Sequence, residues 1–164
     1  MKKEETTVLV LFHSKGGTTY KLATAIARGV EKQEGVKAVL KQVPQISPPD
    51  DLESKAFASV PFATPDELAQ YDGIAFGSPI YFGGATADMR LFLEGTLDLW
   101  TQHQLEGVPA TVFMAAGGGA AREAAILSLW HMLAVHGMML VPSGMKGTAE
   151  MDKTIAQGNT VFGT

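Results

Sequence analysis

Thr7-Val8-Leu9-Val10-Leu11-Phe12, running directly into His13-Ser14-Lys15-Gly16-Gly17-Thr18-Thr19, sets the fold class of this chain. The first six residues are continuously apolar and β-prone, the pattern of a strand covered on both faces in a parallel sheet. After the polar, glycine-bearing segment, Leu22, Ala23, Ile26, Ala27 and Val30 recur at helical spacing until Gly35 ends the pattern. Buried strand, glycine turn and amphipathic helix are the opening unit of an α/β fold.

The same alternation continues down the chain. Ala38 to Val43 reads as a second strand, and the proline-rich stretch from Pro44 to Phe62 has no convincing period. Thr64-Pro65-Asp66-Glu67 combines an N-cap residue, a proline at the first helical position and a glutamate at the third, which predicts a short helix. Gly73 to Gly77 is the third strand, and the loop Ser78 to Gly84 leads into a single amphipathic helix from Ala87 to Trp100. Ala110 to Ala115 is the fourth strand, the glycine run 117–119 opens a helix reaching about Val135, and Met138 to Val141 is the fifth strand. Strands alternating with helices imply a parallel, doubly wound sandwich with right-handed crossovers. All three glycine loops follow strand carboxyl ends, the edge at which open α/β sheets bind ligands.

Composition narrows the chemistry. At 164 residues and 46% apolar content, one domain spanning 1–164 is expected. Thirteen basic against 17 acidic side chains give a net charge of −4, which offers a nucleic acid no general attraction. There is no cysteine, so redox chemistry must come from a bound cofactor, and the four histidines have no ligand spacing, so no metal site is expected. Val8 to Phe12 is too short for a membrane span or signal core, which makes a cytoplasmic location, away from membranes, the expectation.

His13 to Thr19 joins a buried strand to a helix N-terminus, a geometry that aims free N–H groups and the positive helix end at an anion. Ser14, Thr18 and Thr19 add hydroxyl donors, although the same residues also suit a plain capped turn. Neither the Walker spacing nor the dinucleotide glycine fingerprint is present, so a monophosphate fits better than a pyrophosphate. In Gly77-Ser78-Pro79-Ile80-Tyr81-Phe82-Gly83-Gly84 two aromatics stand where they could flank a flat heterocycle, or simply pack beneath the loop.

Taken together, S-K-G-G-T-T, G-S-P-I-Y-F-G-G, M-R-L-F-L, L-W, the glycine run and H-G-M resemble the WrbA-type NAD(P)H:quinone oxidoreductases of the flavodoxin-like superfamily, over nearly the whole chain. The resemblance implies a five-stranded parallel sheet in the order 2-1-3-4-5 within a three-layer sandwich. It also implies noncovalent FMN, NAD(P)H as donor, a small-molecule quinone as acceptor, and a homo-oligomer, dimeric or tetrameric. Carried over by position, it puts the FMN phosphate on Ser14, Lys15, Gly16, Gly17, Thr18 and Thr19, and the isoalloxazine against Pro79, Ile80, Tyr81, Phe82 and Gly83. Ala115, Ala116, Gly117, Gly118, Gly119 and Ala120 would cover the flavin edge, with Trp100 and His136 toward the substrate. No protein acid or base is required, because the flavin itself carries the electrons.

The chain departs from that pattern at four places. Gly16 stands where the family carries an aromatic residue associated with nicotinamide binding, and Val135 replaces a flavin-contacting histidine. The third loop offers backbone groups where Ser and Thr are usual. The sequence ends soon after the fifth strand, where the family continues into a last helix, so one sheet face is expected to need a partner subunit or further chain. Two other expectations therefore stand beside the reductase: a flavodoxin-like electron carrier or FMN-binding module without NAD(P)H turnover, and an interaction domain that keeps the fold alone.

Overall fold

The computed structural model describes residues 5–46, 55–118, 121–145, 154 and 162–163. Strand β1 (Thr6–Phe12) lies between β2 (Val36–Gln42) and β3 (Gly73–Tyr81). Beyond β3 come β5 (Pro109–Ala115) and β6 (Met139–Leu140), giving the path β2-β1-β3-β5-β6 with every one of these pairs parallel. This is the expected order, with one addition. A two-residue strand, β4 (Gly84–Ala85), folds back antiparallel on the end of β3.

Burial on both faces explains the unbroken apolar runs. In β1, Leu9 and Leu11 enter one core while Val10 and Phe12 enter the other, and Ile74 and Phe76 oppose Ala75 in β3. Helix α1 (Thr18–Val30) closes the second face with Ala23, helped by the buried Phe57. Helices α2 (Ala87–Glu94), α3 (Leu97–Thr101) and α4 (Arg122–Val135) close the first, through Met89, Phe92, Leu99, Ile126 and Leu129. The result is helix, sheet and helix in three layers. Among the described residues no helix is long and apolar enough to cross a membrane.

Four sequence expectations are corrected. The helix expected from Ala87 to Trp100 is two helices, because Gly95 ends α2 and Thr96 turns the chain, its hydroxyl bonded to Leu93 O at 2.6 Å. The third strand does not stop at Gly77 but carries Ser78 to Tyr81 with it, since Ser78 and Pro79 pair with Met114 and Ala115 of β5, and Ile80 and Tyr81 with Ala85 and Gly84 of β4. The short helix after Thr64 is a 3-10 turn, Pro65–Gln70, with the predicted capping box in place. The last helix starts at Arg122, past the glycine run, behind Ala121 at φ 58°.

Gly77 marks a close approach. It pairs with Phe113 of β5, and a Cβ there would fall inside the Phe113 ring. On the α4 face, Phe162 packs edge-on to Trp130 with centroids 6.1 Å apart. Most of the stretch 146–164, to which the expectation of a missing terminal helix refers, lies outside the described residues.

Candidate functional site

The carboxyl edges of β1, β3 and β5 meet around a cleft of about 220 Å³. Ser14, Lys15, Gly16, Thr18 and Thr19 form one wall, Pro79, Ile80 and Tyr81 another, and Ala115, Ala116 and Gly117 the third. Each wall is placed by its strand. Because β3 pairs with β1 at Phe12–Gly77 and with β5 as far as Pro79–Ala115, the three chain exits stay within one small area.

The first wall is chemically unfinished. Gly17 stands at the N-cap position before α1 with a φ of 78° that a side chain would oppose, and no side chain caps the helix. Its first-turn N–H groups therefore have no intrahelical partner. Ser14 is 1% exposed and its Oγ has no hydrogen-bond partner among the described residues. A buried hydroxyl without a partner carries a desolvation penalty of about 1–3 kcal/mol, which a bound acceptor relieves. Unpaired N–H groups, a positive helix end, this hydroxyl and the Lys15 ammonium together suit a phosphate.

Lys15 also reaches the second wall. Its Nζ stands 5.5 Å from the Tyr81 ring centroid, dividing the first cleft from a second of about 410 Å³. Both residues line both clefts, and Phe82, Ala85, Thr86, Ala87 and Asp88 complete the second. Phe82 is thus across Tyr81 from the first cleft rather than on its wall. It is 109% exposed and holds φ 52° at the hairpin tip, followed by Gly83 at φ 79°. Gly17 underlies the first wall as the helix cap, Gly83 lies against Ala121, and Gly118 lines neither cleft. Gly119 and Ala120 lie outside the described residues.

Trp100 and His136 come together elsewhere. With Leu93, Leu97, Met132 and Val135 they border an apolar hollow of about 400 Å³ between α3 and the end of α4. Trp100 donates from Nε1 to Val135 O at 2.9 Å, and His136 Nε2 meets Thr96 Oγ1 at 2.8 Å. None of these residues lines either of the clefts around Tyr81. Burial holds the His136 ring below the usual histidine pKa.

Sequence reasoning gave no role to His13, Thr86 or Asp88. The only signal for His13 was its position directly after a strand buried on both faces, where a polar ring must find partners. It finds Thr86 Oγ1 at 2.9 Å and Asp88 Oδ2 at 3.5 Å.

A family model described as NADPH-dependent FMN reductase matches residues 6–150. The chain is also similar to solved structures. One is a flavodoxin, WrbA-like protein from Agrobacterium tumefaciens, with 21% identity over 84% of this chain and 77% of that one and a TM-score of 0.65. An oxidoreductase from Corynebacterium diphtheriae shares 19% identity over 87% of this chain and 81% of that one, at a TM-score of 0.64. A Fusobacterium nucleatum flavodoxin bound to flavin mononucleotide shares 16% identity over 83% of this chain and 69% of that one, at a TM-score of 0.57.

Proposed function

The chain belongs to the NADPH-dependent FMN reductase family, and from that premise we propose that it holds FMN in the cleft bounded by Ser14–Thr19, Pro79–Tyr81 and Ala115–Gly117 and passes electron pairs from NADPH to a quinone. The observation that carries the assignment is the unfinished first wall: an uncapped helix start beside a buried serine hydroxyl without a partner.

In this reading the α1 N–H groups, Ser14 Oγ and Lys15 hold the phosphate. Ile80 and Tyr81, and the backbone of Ala115 to Gly117, line the rest of the cleft and would hold the ring system of FMN. Bound FMN supplies the hydride and electron chemistry. The protein's own contribution is to fix the ring, hold the anion and leave one approach open. That approach is the side of the second cleft, where Tyr81, shared by both clefts, and Phe82 offer aromatic surface to a second substrate. With Gly16 in the first loop, the aromatic surface offered to a second substrate comes from the hairpin.

Exposed Leu97, Trp100 and Val135 supply an apolar surface, which supports a homo-oligomer joined through α3 and the end of α4. Trp100 and His136 then act toward substrate across that interface, since within one chain they stand apart from the flavin cleft.

A second reading, an electron carrier without NADPH turnover, is favoured by Gly16, which leaves the first loop with no ring to stack on nicotinamide. The test is a titration of flavin-free protein with FMN, followed by anaerobic NADPH and then a benzoquinone in the same cuvette. Saturable binding, loss of the oxidised-flavin absorbance and its return with quinone are expected. Binding without bleaching selects the carrier, and no binding by folded protein overturns both.

A further inference from the structure

Directly behind the phosphate-suited wall sits a buried titratable group that the proposed chemistry does not use. His13, 1% exposed, precedes Ser14 and joins a buried set of polar side chains through a hydrogen bond to Thr86 and an ion-pair contact with Asp88. Nε2 lies 3.5 Å from Asp88 Oδ2, an ion-pair contact rather than a hydrogen bond, and with the ring hydrogen on that nitrogen Nδ1 accepts the Thr86 hydroxyl at 2.9 Å. This tautomer is the one assigned by the surrounding partners. Ser78 Oγ accepts the Thr86 N–H at 3.0 Å and donates to Pro79 O at 2.9 Å, which ties the set to the second wall of the flavin cleft. Asp88 is held by the Ile46 N–H at 2.7 Å.

The set tolerates one more proton. If Nδ1 is protonated it becomes a donor to Thr86 Oγ1, and the threonine hydroxyl can turn to donate to Ser78 Oγ, 3.3 Å away. No donor is stranded, because Ser78 keeps its own bond to Pro79 O. Two hydrogen-bonding states of the same side chains are therefore available, and the charge environment selects between them.

Among the described residues, Asp88 from α2 and Lys15 from the ring's own loop are the charged groups that face it; β3 presents the neutral Ser78, and the segment after β2 presents Ile46. Burial disfavours the imidazolium most, Asp88 favours it, and Lys15 disfavours it, so the ring is held neutral. Lys15 lines the cleft, so charge on the cleft wall is felt at His13. An anion seated beside Lys15 acts with the opposite sign.

We propose that His13 is a proton-linked positioning residue of the flavin cleft: a phosphate seated on Ser14 to Thr19 is bound together with a proton taken up by the His13 ring, which reorients Thr86 toward Ser78 and the Pro79 wall. This rests on the phosphate-binding reading of that wall. By linkage, affinity for FMN gains about tenfold, as pH falls through the His13 transition, for each unit by which the anion raises that pKa. The phosphate's own protonation near pH 6, about its second pKa, pulls the other way, so the comparison must cancel it.

His13→Gln does so, because its amide keeps a donor to Asp88 and does not titrate. Calorimetric titration of the full chain with FMN at about pH 6 in two buffers of different ionisation enthalpy counts the protons exchanged. The wild-type chain is expected to take up more protons than H13Q, and equal counts overturn the proposal. A measurement that needs no variant is the NMR titration of the His13 ring with and without saturating inorganic phosphate. Phosphate is expected to raise the midpoint, and an unchanged midpoint with phosphate bound overturns the linkage. If phosphate raises the midpoint while FMN fails to bind, the flavin reading falls and the linkage stands; if neither anion binds, both fall.

Discussion

Ser14 makes no side-chain hydrogen bond of its own among the described residues, so removing its hydroxyl separates binding from folding. Ser14→Ala is expected to weaken FMN binding by about 1.5–3 kcal/mol, the range for hydrogen bonds to charged groups. Its unfolding free energy in urea without flavin should not fall, and should rise by up to about 1–3 kcal/mol, because the desolvation penalty of the unpartnered hydroxyl is removed with it. A similar loss of both would make Ser14 a structural residue. Gly77 tests the opposite case, a position with no direct part in the cleft. Gly77→Ala must displace the Phe113 ring, and overpacking of this kind destabilises by about 1–3 kcal/mol, readable as a lower urea midpoint. Combining it with Phe113→Leu should recover part of that loss, since the two residues are paired neighbours.

At the scale of elements, the β3–β4 hairpin turns through Phe82 and Gly83, both at positive φ, as its tight two-residue turn demands. Asparagine and aspartate suit such a position far better than phenylalanine. Phe82→Asn is accordingly expected to raise stability by about 1 kcal/mol in thermal or urea unfolding. A parallel fall in quinone turnover, with FMN affinity unchanged, would place Phe82 in contact with the second substrate. This hairpin was hidden in the sequence. Ser78 to Gly84 is rich in turn residues, and only the pairing of Pro79 with Ala115 and Tyr81 with Gly84 makes it strand. The break at Gly95 was visible as a glycine but outweighed by the apolar spacing around it, because helix propensity is weak against tertiary packing. By contrast β1, β5 and the first five residues of β3 were legible almost residue by residue, since burial on both faces leaves continuous apolar runs. So was the first wall, where strand, glycine and hydroxyls follow one another locally. His13 and Asp88 stand 75 positions apart in the chain, and nothing in either residue's neighbours announces their contact.

For the molecule as a whole, two histidines make acid destabilising. His13 and His136 are both held below the ordinary value of 6.5 when folded, burial being the first cause in each. Between the folded and unfolded values the unfolded chain binds more protons, so stability rises with pH there. It is therefore fully present above pH 6.5 and declines as pH falls below that value toward the lower, folded ones. Urea midpoints for the flavin-free wild type should drop from pH 7 to pH 5, about the span of histidine titration, and the drop should shrink in His13→Gln. The apolar hollow at α3 and α4 gives a second test at this scale. Leu97→Glu or Val135→Glu puts a charge on the proposed oligomer contact, and sedimentation is expected to show smaller assemblies with the flavin cleft intact.

The pairing of β1 has a consequence for how the chain is made. Its residues Val8 to Phe12 join β2 at residues 38–42 and β3 only at residues 73–77. While the ribosome has delivered the first half of the chain, β1 can pair on one side only. Its other edge, built from the most apolar run in the sequence, waits for a strand not yet synthesised. Such an open, flat edge is a template for a second nascent copy. Translation speed between Val43 and Gly73 thus becomes a determinant of yield, and synonymous changes that slow that stretch should send more of the product into aggregates.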